Sequence, residues 1–400
     1  MTTPTVQPKR RVLEHSCLLL MGVALFALCW KDMDLLGDSF WSVATGRYIL
    51  SHHTFPTVDP FSFTASQPWV VHMPMTQILL ALAEGAVGVL GLELLGAVVL
   101  TSALLVLWLP HSKTDSAKLI AWYGLIALVW VQREDLCVRG QLFGDLAFAI
   151  LILVGHKTHD LRLSLKTVAL AGVALGAIWI NLHASVFLGI AVPLAWAAGT
   201  VIFERQGRHA AIQLIALAAS VFLGCFINPF GYRLPLDLLR LFTAASTRQI
   251  DLFLPPSLQT ASTIVVFAVI LIASTASLAT RDRRDRLGSL TVLILLTAAS
   301  IFGRRYLPLA LTFALVELSR TVSLWRFEAR RSRIALYAGS AVIATVLAFI
   351  GLTQDKDPWR DVPLEEARFV VAQNLPDNVA NSYHFGGFLD YEWNGKPKVF

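Results

Sequence analysis

The sequence predicts an all-α polytopic membrane protein, and three observations support this fold class. Of its 400 residues, 56% are apolar and only 15% are charged, whereas soluble domains average about 25% charged residues. The mean hydropathy is +0.62. Long apolar runs alternate with short basic clusters along the chain. Because a soluble core cannot bury so much apolar surface, lipid is the expected solvent for most of it.

The same composition excludes several other classes of protein. The chain is too apolar to be disordered, and its four cysteines have neither a disulfide framework nor metal-ligand spacing. The formal net charge of +6 lies in short clusters between apolar runs, which is typical of topology signals rather than of nucleic-acid binding. The sequence also has no phosphate-cradling glycine loop, H-E-x-x-H pair or nucleophile elbow. An ATPase, a nucleotide-sugar enzyme and a membrane protease are therefore disfavoured.

The apolar runs define the predicted spans. The first run, 17–30, follows three basic residues but ends at Trp30-Lys31-Asp32 without a small-x-small cleavage site, so we expect a retained span. Further spans are predicted near 92–110, 119–132, 141–155, 167–181, 185–203, 210–227, 260–279, 288–302, 306–324 and 334–352. Segment 76–90 is ambiguous between a span and a surface helix, because it is short and carries Glu84.

The basic residues predict how these spans are oriented. Six clusters hold 18 of the 33 Lys and Arg residues, at 9–11, 111–118, 156–166, 204–209, 281–286 and 325–333. All six lie on the cytoplasmic side if segment 76–90 does not cross. We therefore expect about 11 crossings of the inner membrane, with a cytoplasmic N-terminus and an extracytoplasmic C-terminus.

This orientation also predicts the domain organisation. Residues 1–352 are expected to form the transmembrane domain, with a long first outer loop at 32–91 and another outer loop at 228–258. Residues 353–400 are expected to begin an incomplete extracytoplasmic segment. The outer loops are the ones rich in Asp, His, Asn and Arg. Since polar groups near a bilayer usually face a cavity or a site, the outer face is predicted to carry the chemistry.

The first outer loop begins with a predicted juxtamembrane helix at 39–50. Asp38 or Ser39 is expected to cap it, and its apolar residues recur at helical spacing. Pro56, Pro60 and Pro68 then punctuate an extended segment. An amphipathic helix at the exit of a span is expected to lie along the membrane surface.

The motifs of this loop carry a family resemblance. W-x-x-A-T-G-R-Y-I-L at 41–50, P-x-x-D-P-F-S-F-T at 56–64 and P-W-V-x-H at 68–72 resemble bacterial polytopic membrane proteins of the GT-C glycosyltransferase superfamily, which includes protein O-mannosyltransferases and aminoarabinose transferases. Shorter stretches that resemble the same proteins occur at 139–143, 179–183, 228–232, 304–306 and 381–400. The resemblance thus covers nearly the whole chain.

The resemblance is incomplete at two positions. Phe40-Trp41-Ser42 stands where such proteins often have Trp-Trp-His, and His72-Met-Pro-Met75 stands where they often have His-Glu-Trp-Leu. A His and a Glu are therefore missing from the predicted site. We expect no cofactor, and a divalent metal is possible but not indicated.

The resemblance implies an enzyme that moves a sugar from a polyprenyl-phosphate donor to a glycan, lipid or protein acceptor on the outer face, with inversion. An outer-loop carboxylate would take the proton of the attacking hydroxyl. Asp38 best matches the acidic position of the family, and Asp59 is the second candidate. Each also has a simpler interpretation, Asp38 as a helix cap and Asp59 as an Asx-turn before Pro60. No nucleic-acid partner is expected.

Seven further residues are predicted to bind substrate. They are Arg47, His72, Arg139, Asn181, His183, Arg304 and Arg305. Arg304 and Arg305 lie on the outer face against the positive-inside trend, so a lipid phosphate is a natural partner for them, although anionic headgroups would serve as well. The simpler interpretations are a surface anchor for Arg47, a structural imidazole for His72, and satisfied helix ends for Asn181 and His183.

Two other functions remain open from the sequence. A lipid-linked glycan flippase or transporter would place ionisable residues at mid-span across repeated halves, and the sequence has no convincing internal repeat. A catalytically inactive relative that acts as a scaffold is favoured by Ser42 and Met73, which replace the His and Glu of the family pattern.

Overall fold

Helices make up nearly all the regular structure of the protein. The computed structural model describes residues 8–133, 136–204, 207–243, 255–257, 260–279, 287–323, 330–353, 356–360, 362–375 and 377–400. Its helices are α1 (Pro8–Lys31), α2 (Gly37–His52), α3 (Pro74–Val87), α4 (Val89–Trp108), α5 (Asp115–Gln132), α6 (Gly140–His159), α7 (Leu165–Leu182), α8 (Leu188–Phe203), α9 (Arg208–Gly224), α10 (Arg233–Thr243), α11 (Ala261–Ala279), α12 (Gly288–Phe302), α13 (Leu307–Val322), α14 (Arg330–Thr353), α15 (Leu364–Ala372) and α16 (Tyr383–Trp393). The two short strands are β1 (Asn378–Val379) and β2 (Lys398–Val399).

The predicted spans all overlap helices. Within the described ranges, five segments are long and apolar enough to cross a membrane: Glu14–Lys31, Val89–Trp108, Gly140–His159, Leu165–Leu182 and Ala184–Phe203. Shorter apolar helices include Arg208–Gly224, Thr263–Ala276, Gly288–Phe302 and Tyr337–Thr353. The chain is therefore a multi-pass membrane protein, and the count of 11 crossings stays a prediction.

Small residues allow the helices of the bundle to pack closely. A Cβ on Gly176 of α7 would lie 2.2 Å from the carbonyl oxygen of Val221 in α9, and one on Gly224 would lie 2.3 Å from that of Val173. The backbones of α7 and α9 therefore touch at this crossing. Such contacts between small residues are typical of helix packing in lipid, where no hydrophobic force draws helices together.

The first loop begins with a helix, as predicted. Helix α2 covers the predicted helix at 39–50, but the predicted N-cap residues are wrong. Leu36 occupies the N-cap position, and the backbone N–H of Leu36 donates a 3.2 Å hydrogen bond to the Ser39 hydroxyl. Asp38 therefore lies inside the first turn, with its carboxylate available for other contacts.

The ambiguous segment 76–90 lies mostly in α3. A single residue, Gly88 with φ +69°, joins α3 to α4. At a rise of about 1.5 Å per residue, the 14 residues of α3 extend roughly 21 Å. This is shorter than the ~30 Å hydrocarbon layer. The backbone of α3 also packs tightly on α2, because a Cβ on Gly46 would lie 2.0 Å from the Gln77 carbonyl oxygen.

The C-terminal segment packs on the first loop. Phe40 of α2 contacts Phe388 and Trp359, with ring centroids 5.3 Å and 5.9 Å apart. Strand β1 pairs in parallel with β2, and Val399 exchanges 3.0 Å backbone hydrogen bonds with the first loop at Phe61 and Phe63. Trp359 and Phe388 of the C-terminal segment thus share a core with α2, while the predicted domain boundary at 352 stays a prediction.

The loops gather at two ends of the bundle. The end that we call the site end comprises 32–73, 133, 136–139, 183–187, 303–306 and the C-terminal segment. At this end the Val138 backbone N–H donates a 3.0 Å hydrogen bond to the Asp34 carbonyl oxygen. The opposite end comprises 109–114, 156–164, 204, 287–289 and 317–323; there the hydroxyls of Ser112 and Ser319 lie 2.8 Å apart. The basic cluster at 281–286, the start of the one at 325–333 and most of 244–259 lie outside the described residues.

Candidate functional site

Two adjoining cavities open at the site end. The first has a volume of about 260 Å³ and the second of about 470 Å³. Both are lined by Asp38, Met73, Gln141, His183 and Arg305. They therefore form one continuous candidate site, built by α2, the segment before α3, the start of α6, the turn after α7 and the turn before α13.

Asp38 and Arg139 form an ion pair at the first cavity. Arg139 Nη1 lies 3.7 Å from Asp38 Oδ2. The Asp38 side chain is 65% exposed, while that of Arg139 is 19% exposed. Arg139 stands in extended backbone just before α6, and the bridge between Asp34 and Cys137 joins this strand-like stretch to the end of α1. The carboxylate is thus held in place yet remains accessible to a ligand.

Two more arginines complete the positive wall of this cavity. Arg304 and Arg305 lie in a short 3-10 turn between α12 and α13, and both line the first cavity. Arg305 donates a 3.0 Å hydrogen bond to the Tyr306 hydroxyl, and its guanidinium lies 4.9 Å from the centre of that ring. Three arginines and one accessible carboxylate therefore line this cavity.

His183 contributes a neutral imidazole between the two cavities. Its Nδ1 accepts a 3.2 Å hydrogen bond from the Ser185 backbone N–H and lies 2.8 Å from the Ser185 hydroxyl. Burial, with the charges of Arg305 and Arg139, lowers the pKa of His183 to about 3. Since Nδ1 is an acceptor, the neutral ring carries its proton on Nε2.

The second cavity has a mostly apolar wall. Its apolar lining comprises Phe187, Leu188, Ala191, Leu238, Leu239, Leu241 and Leu309. Three of these leucines lie on α10, inside the loop predicted at 228–258, where the sequence analysis had no helix. His72 Nε2 lies 2.8 Å from Asp237 Oδ2, and this pair joins the first loop to α10.

Three predicted site residues make contacts elsewhere and are not among the described residues that line these cavities. Asp59 Oδ1 accepts a 2.9 Å hydrogen bond from the Phe61 backbone N–H, as in an Asx-turn. Arg47 Nη2 lies 2.7 Å from Glu84 Oε1. Asn181 donates hydrogen bonds to the carbonyl oxygens of Ala177 and Ile227, at 2.7 Å and 3.0 Å.

The site also contains polar residues that the sequence analysis missed. Gln141 and Asp145 line the first cavity from one face of α6, and the amide of Gln141 donates a 2.8 Å hydrogen bond to Asp145. Tyr383 reaches the same cavity from α16. The signal for Asp145 was present, because an acidic residue within an apolar run usually faces a cavity. The sequence had no signal for Tyr383 and Asp237, since chain folding alone brings them here.

The described residues contain no group of three or more His, Cys, Asp and Glu side chains arranged to hold a metal ion. The chemistry available at this site is instead that of an exposed carboxylate, a cluster of guanidinium groups and an apolar groove. A carboxylate takes a proton from a hydroxyl, guanidinium groups bind phosphate, and an apolar groove accepts a hydrocarbon chain.

Comparison with solved structures identifies the fold. The chain is similar to the archaeal oligosaccharyltransferase AglB from Archaeoglobus fulgidus in complex with an inhibitory peptide and a dolichol-phosphate, with a TM-score of 0.52 and 13% identity over 96% of this chain and 64% of that one. The apo crystal structure of the oligosaccharyltransferase from the same organism gives a TM-score of 0.52 and 12% identity, with the same coverage.

This chain thus spans less than two thirds of the archaeal enzyme. No family model matches the sequence, and curated proteins give no match. At this identity the likeness concerns the fold alone: the chain has the GT-C-like all-α membrane fold that the archaeal enzyme has.

Proposed function

We propose that this protein is a membrane glycosyltransferase that moves a sugar from a polyprenyl-phosphate donor to an acceptor on the outer face of the bacterial inner membrane. The observation that carries the proposal is the accessible Asp38 carboxylate, 3.7 Å from Arg139 and in one cavity with Arg304 and Arg305. The fold of a known oligosaccharyltransferase supports the same class of reaction.

Asp38 is proposed as the general base. The acceptor hydroxyl gives its proton to the Asp38 carboxylate while its oxygen attacks the anomeric carbon of the sugar. The bond from that carbon to the phosphate oxygen breaks, and the polyprenyl phosphate leaves with the electron pair. One displacement of this kind inverts the anomeric centre. A positioned carboxylate contributes typically 10²–10⁴-fold to such a step.

The arginines are proposed to bind the phosphate of the donor. Negative charge grows on the leaving phosphate in the transition state, and charge-assisted hydrogen bonds from guanidinium groups stabilise it. The N-terminus of α6, at Gly140 and Gln141, lines the same cavity and adds the positive end of a helix dipole. His183, neutral with its proton on Nε2, is proposed to donate to a sugar hydroxyl.

The apolar second cavity is proposed to take the isoprenoid chain. Its leucines line a groove continuous with the arginine cluster, so a lipid phosphate would place its head at the arginines and its chain along α10. The archaeal enzyme of the same fold forms a complex with a dolichol-phosphate, which supports a lipid-phosphate donor here. With Asp59, Arg47 and Asn181 bonded elsewhere, we propose positioning roles for them rather than contact with the substrate.

The test is a paired substitution of the two candidate carboxylates. Purified protein in lipid nanodiscs is given a panel of polyprenyl-phosphate sugars and acceptors, and donor consumption is measured. We expect Asp38→Asn to lower turnover by roughly 10²–10⁴-fold, the typical worth of a general base. Asp59→Asn is the matched control, because the Asn side-chain oxygen still accepts the hydrogen bond from Phe61, and its turnover should stay near wild type.

Three results would contradict the proposal. Turnover retained by a folded Asp38→Asn variant would exclude Asp38 as the base. Donor transport across vesicles without an acceptor, together with no transfer, would favour a flippase, and the absence of any donor binding would favour a scaffold.

A further inference from the structure

A third cavity lies at the opposite end of the bundle, away from the candidate site. It has a volume of about 110 Å³, where the ends of α6 and α13 meet the loop after α4. Its charged and imidazole lining comprises His111, Lys113, His156, Lys157, Asp160, Arg162 and Arg320. A cavity of about 10–15 Å³ already holds one water molecule. This cavity therefore has room for a small polyatomic ion.

The carboxylates of this region already contact groups of the protein itself. Glu204 Oε2 lies 3.0 Å from His159 Nε2, and its other oxygen accepts a 2.9 Å hydrogen bond from the Gly288 backbone N–H. Glu317 accepts a 3.0 Å hydrogen bond from Ser289, and its Oε1 lies 3.2 Å from His156 Nε2.

Asp160, the acidic residue in the cavity lining, lies 3.4 Å from both Arg162 and Arg320. These two cations and the adjacent His159 hold the pKa of Asp160 well below its usual range, although burial acts to raise it. Asp160, the acid in the cavity lining, is therefore matched by two arginines and offers the cavity no uncompensated negative charge.

Hydrogen-bond donors and positive charge are in excess by contrast. Lys113 and Lys157 stand exposed at the cavity, and the described structure gives their ammonium groups no ion pair. His111 Nε2 and His156 Nδ1 are buried, and neither has a hydrogen-bond partner among the described residues. Burial, with the charges of His156 and Arg320, lowers the pKa of His111 to about 3, so its ring is neutral.

An unpartnered polar atom costs about 1–3 kcal/mol when it is buried, and each such atom calls for an explanation. A negatively charged ligand with several acceptor oxygens would provide that explanation. It would accept hydrogen bonds from the His111 imidazole and from Arg320, and it would pair with the two lysines. A divalent cation is excluded as the occupant, because Arg320 and the lysines would repel it.

We propose that this cavity binds a phosphate group, carried either by the headgroup of an anionic lipid in the adjacent leaflet or by free inorganic phosphate. Arg320 and the His111 imidazole bind the phosphate oxygens inside the cavity, and Lys113 and Lys157 hold its charge at the mouth. The site is separate from the candidate glycosyltransferase site and does not depend on that function.

The experiment measures phosphate retained by the purified full-length chain. In the lipid arm, native mass spectrometry follows retained phosphatidylglycerol; in the free-phosphate arm, equilibrium dialysis follows inorganic phosphate in delipidated detergent micelles. The test variant is Lys113→Glu with Lys157→Glu. The matched control is Lys166→Glu, an exposed lysine near the same end that does not line the cavity. We expect the double variant to bind about tenfold less tightly, and the control to bind like wild type.

The arms separate the two sources. Stoichiometric phosphatidylglycerol that inorganic phosphate does not displace identifies a headgroup, and saturable binding of inorganic phosphate identifies the free ion. His111→Leu should weaken the binding found, and His111→Gln, which restores an amide donor, should recover part of it. No retention in either arm, or equal retention by the double variant and the control, would overturn the proposal. Neither arm uses a sugar donor, so a failure here leaves the proposed glycosyltransferase untouched.

Discussion

The two ends of the helix bundle use charge in opposite ways. At the site end, Asp38 is 65% exposed and lies 3.7 Å from Arg139, beside cavities of about 260 Å³ and 470 Å³. At the opposite end, Glu204 is 4% exposed and lies 3.0 Å from His159, beside a cavity of only about 110 Å³. Acidic and basic residues occur at both ends, but only the site end leaves a carboxylate open to a large ligand.

This difference separates a binding arrangement from a structural one. A buried carboxylate loses its hydration and must be paired and hydrogen-bonded within the protein. An exposed carboxylate keeps its hydration and can exchange water for a substrate hydroxyl. The comparison therefore predicts that substitutions at the opposite end change mainly stability, and that substitutions at the site end change mainly activity.

The largest expected effect on stability is that of Glu204→Ala. It would leave the buried His159 without its closest carboxylate and the Gly288 N–H without an acceptor. Breaking a buried pair from one side costs roughly 3–5 kcal/mol. We expect the free energy of unfolding in detergent to fall by about that amount, while the folded fraction still binds donor. Asp38→Asn, at an exposed pair, is the control and should change the unfolding free energy little; equal losses in both variants would remove the distinction between the ends.

The next effect is that of Arg305→Gln on donor binding. A hydrogen bond to a charged group contributes about 1.5–3 kcal/mol, which corresponds to roughly a ten- to hundredfold loss of affinity for a lipid phosphate. The measurement is titration of a polyprenyl-phosphate sugar into nanodiscs. Arg208→Gln, an exposed arginine of α9 that lines none of the three cavities, is the control. The same loss in both variants would mean that the response reflects net charge rather than the site.

Much of the fold and part of the site followed from the sequence. The apolar runs predicted spans that overlap helices of the structure, because a run of that length buries its backbone polar groups only as a helix. The family resemblance and the sidedness of polar residues together selected Asp38, Arg139, His183, Arg304 and Arg305, which line one cavity. The positions of charged residues in the loops between spans therefore helped to locate the site, even where each motif alone was weak evidence for it.

The rest depends on contacts between distant parts of the chain. Arg47 forms an ion pair with Glu84, the residue that made segment 76–90 ambiguous. Arg47 also donates a hydrogen bond to the carbonyl oxygen of Tyr391, which is 344 positions away in the sequence. No local pattern predicts such pairs. Asp59 fits either interpretation locally, since an Asx-turn and a catalytic loop use the same residue type before a proline. Helix α10 was missed because Pro235 interrupts its pattern near the start.

A smaller effect is expected from pH on the C-terminal segment. Burial, and then the neighbouring Asp59, raise the pKa of Asp390 from 3.8 to about 7, and its Oδ1 is buried with no hydrogen-bond partner among the described residues. Between about pH 4 and pH 7, Asp390 therefore keeps its carboxyl proton when the segment is packed and loses it when the segment is unpacked. Its packing is fully stable below about pH 4, weakens as pH rises to about 7, and changes no further above that.

Asp390→Asn tests this dependence, because an amide remains neutral at every pH. We expect hydrogen exchange over α16 at pH 8 to be slower in the variant than in wild type, and the two to converge near pH 4. Because the two proteins are compared at the same pH, the intrinsic effect of pH on the rate of hydrogen exchange cancels. An unchanged ratio between pH 4 and pH 8 would show that Asp390 does not control the packing.

The smallest expected effect is that of Asp237→Asn on the second cavity. The His72–Asp237 pair has side chains that are 22% and 35% exposed, and ion pairs this accessible contribute only about 0.2–1 kcal/mol. Without it, α10 is held less firmly against the first loop. We expect KM for the donor to rise by at most about fivefold with kcat unchanged, because Asp38 is not touched.

Glu392→Gln is the matched control, since its partner Arg368 forms a comparably exposed pair at the same end, away from the cavities. If KM and kcat fell together, or if Glu392→Gln reproduced the change, α10 would not be the wall that holds the lipid. The apolar groove would then be structural, and the arginine cluster alone would have to account for donor binding.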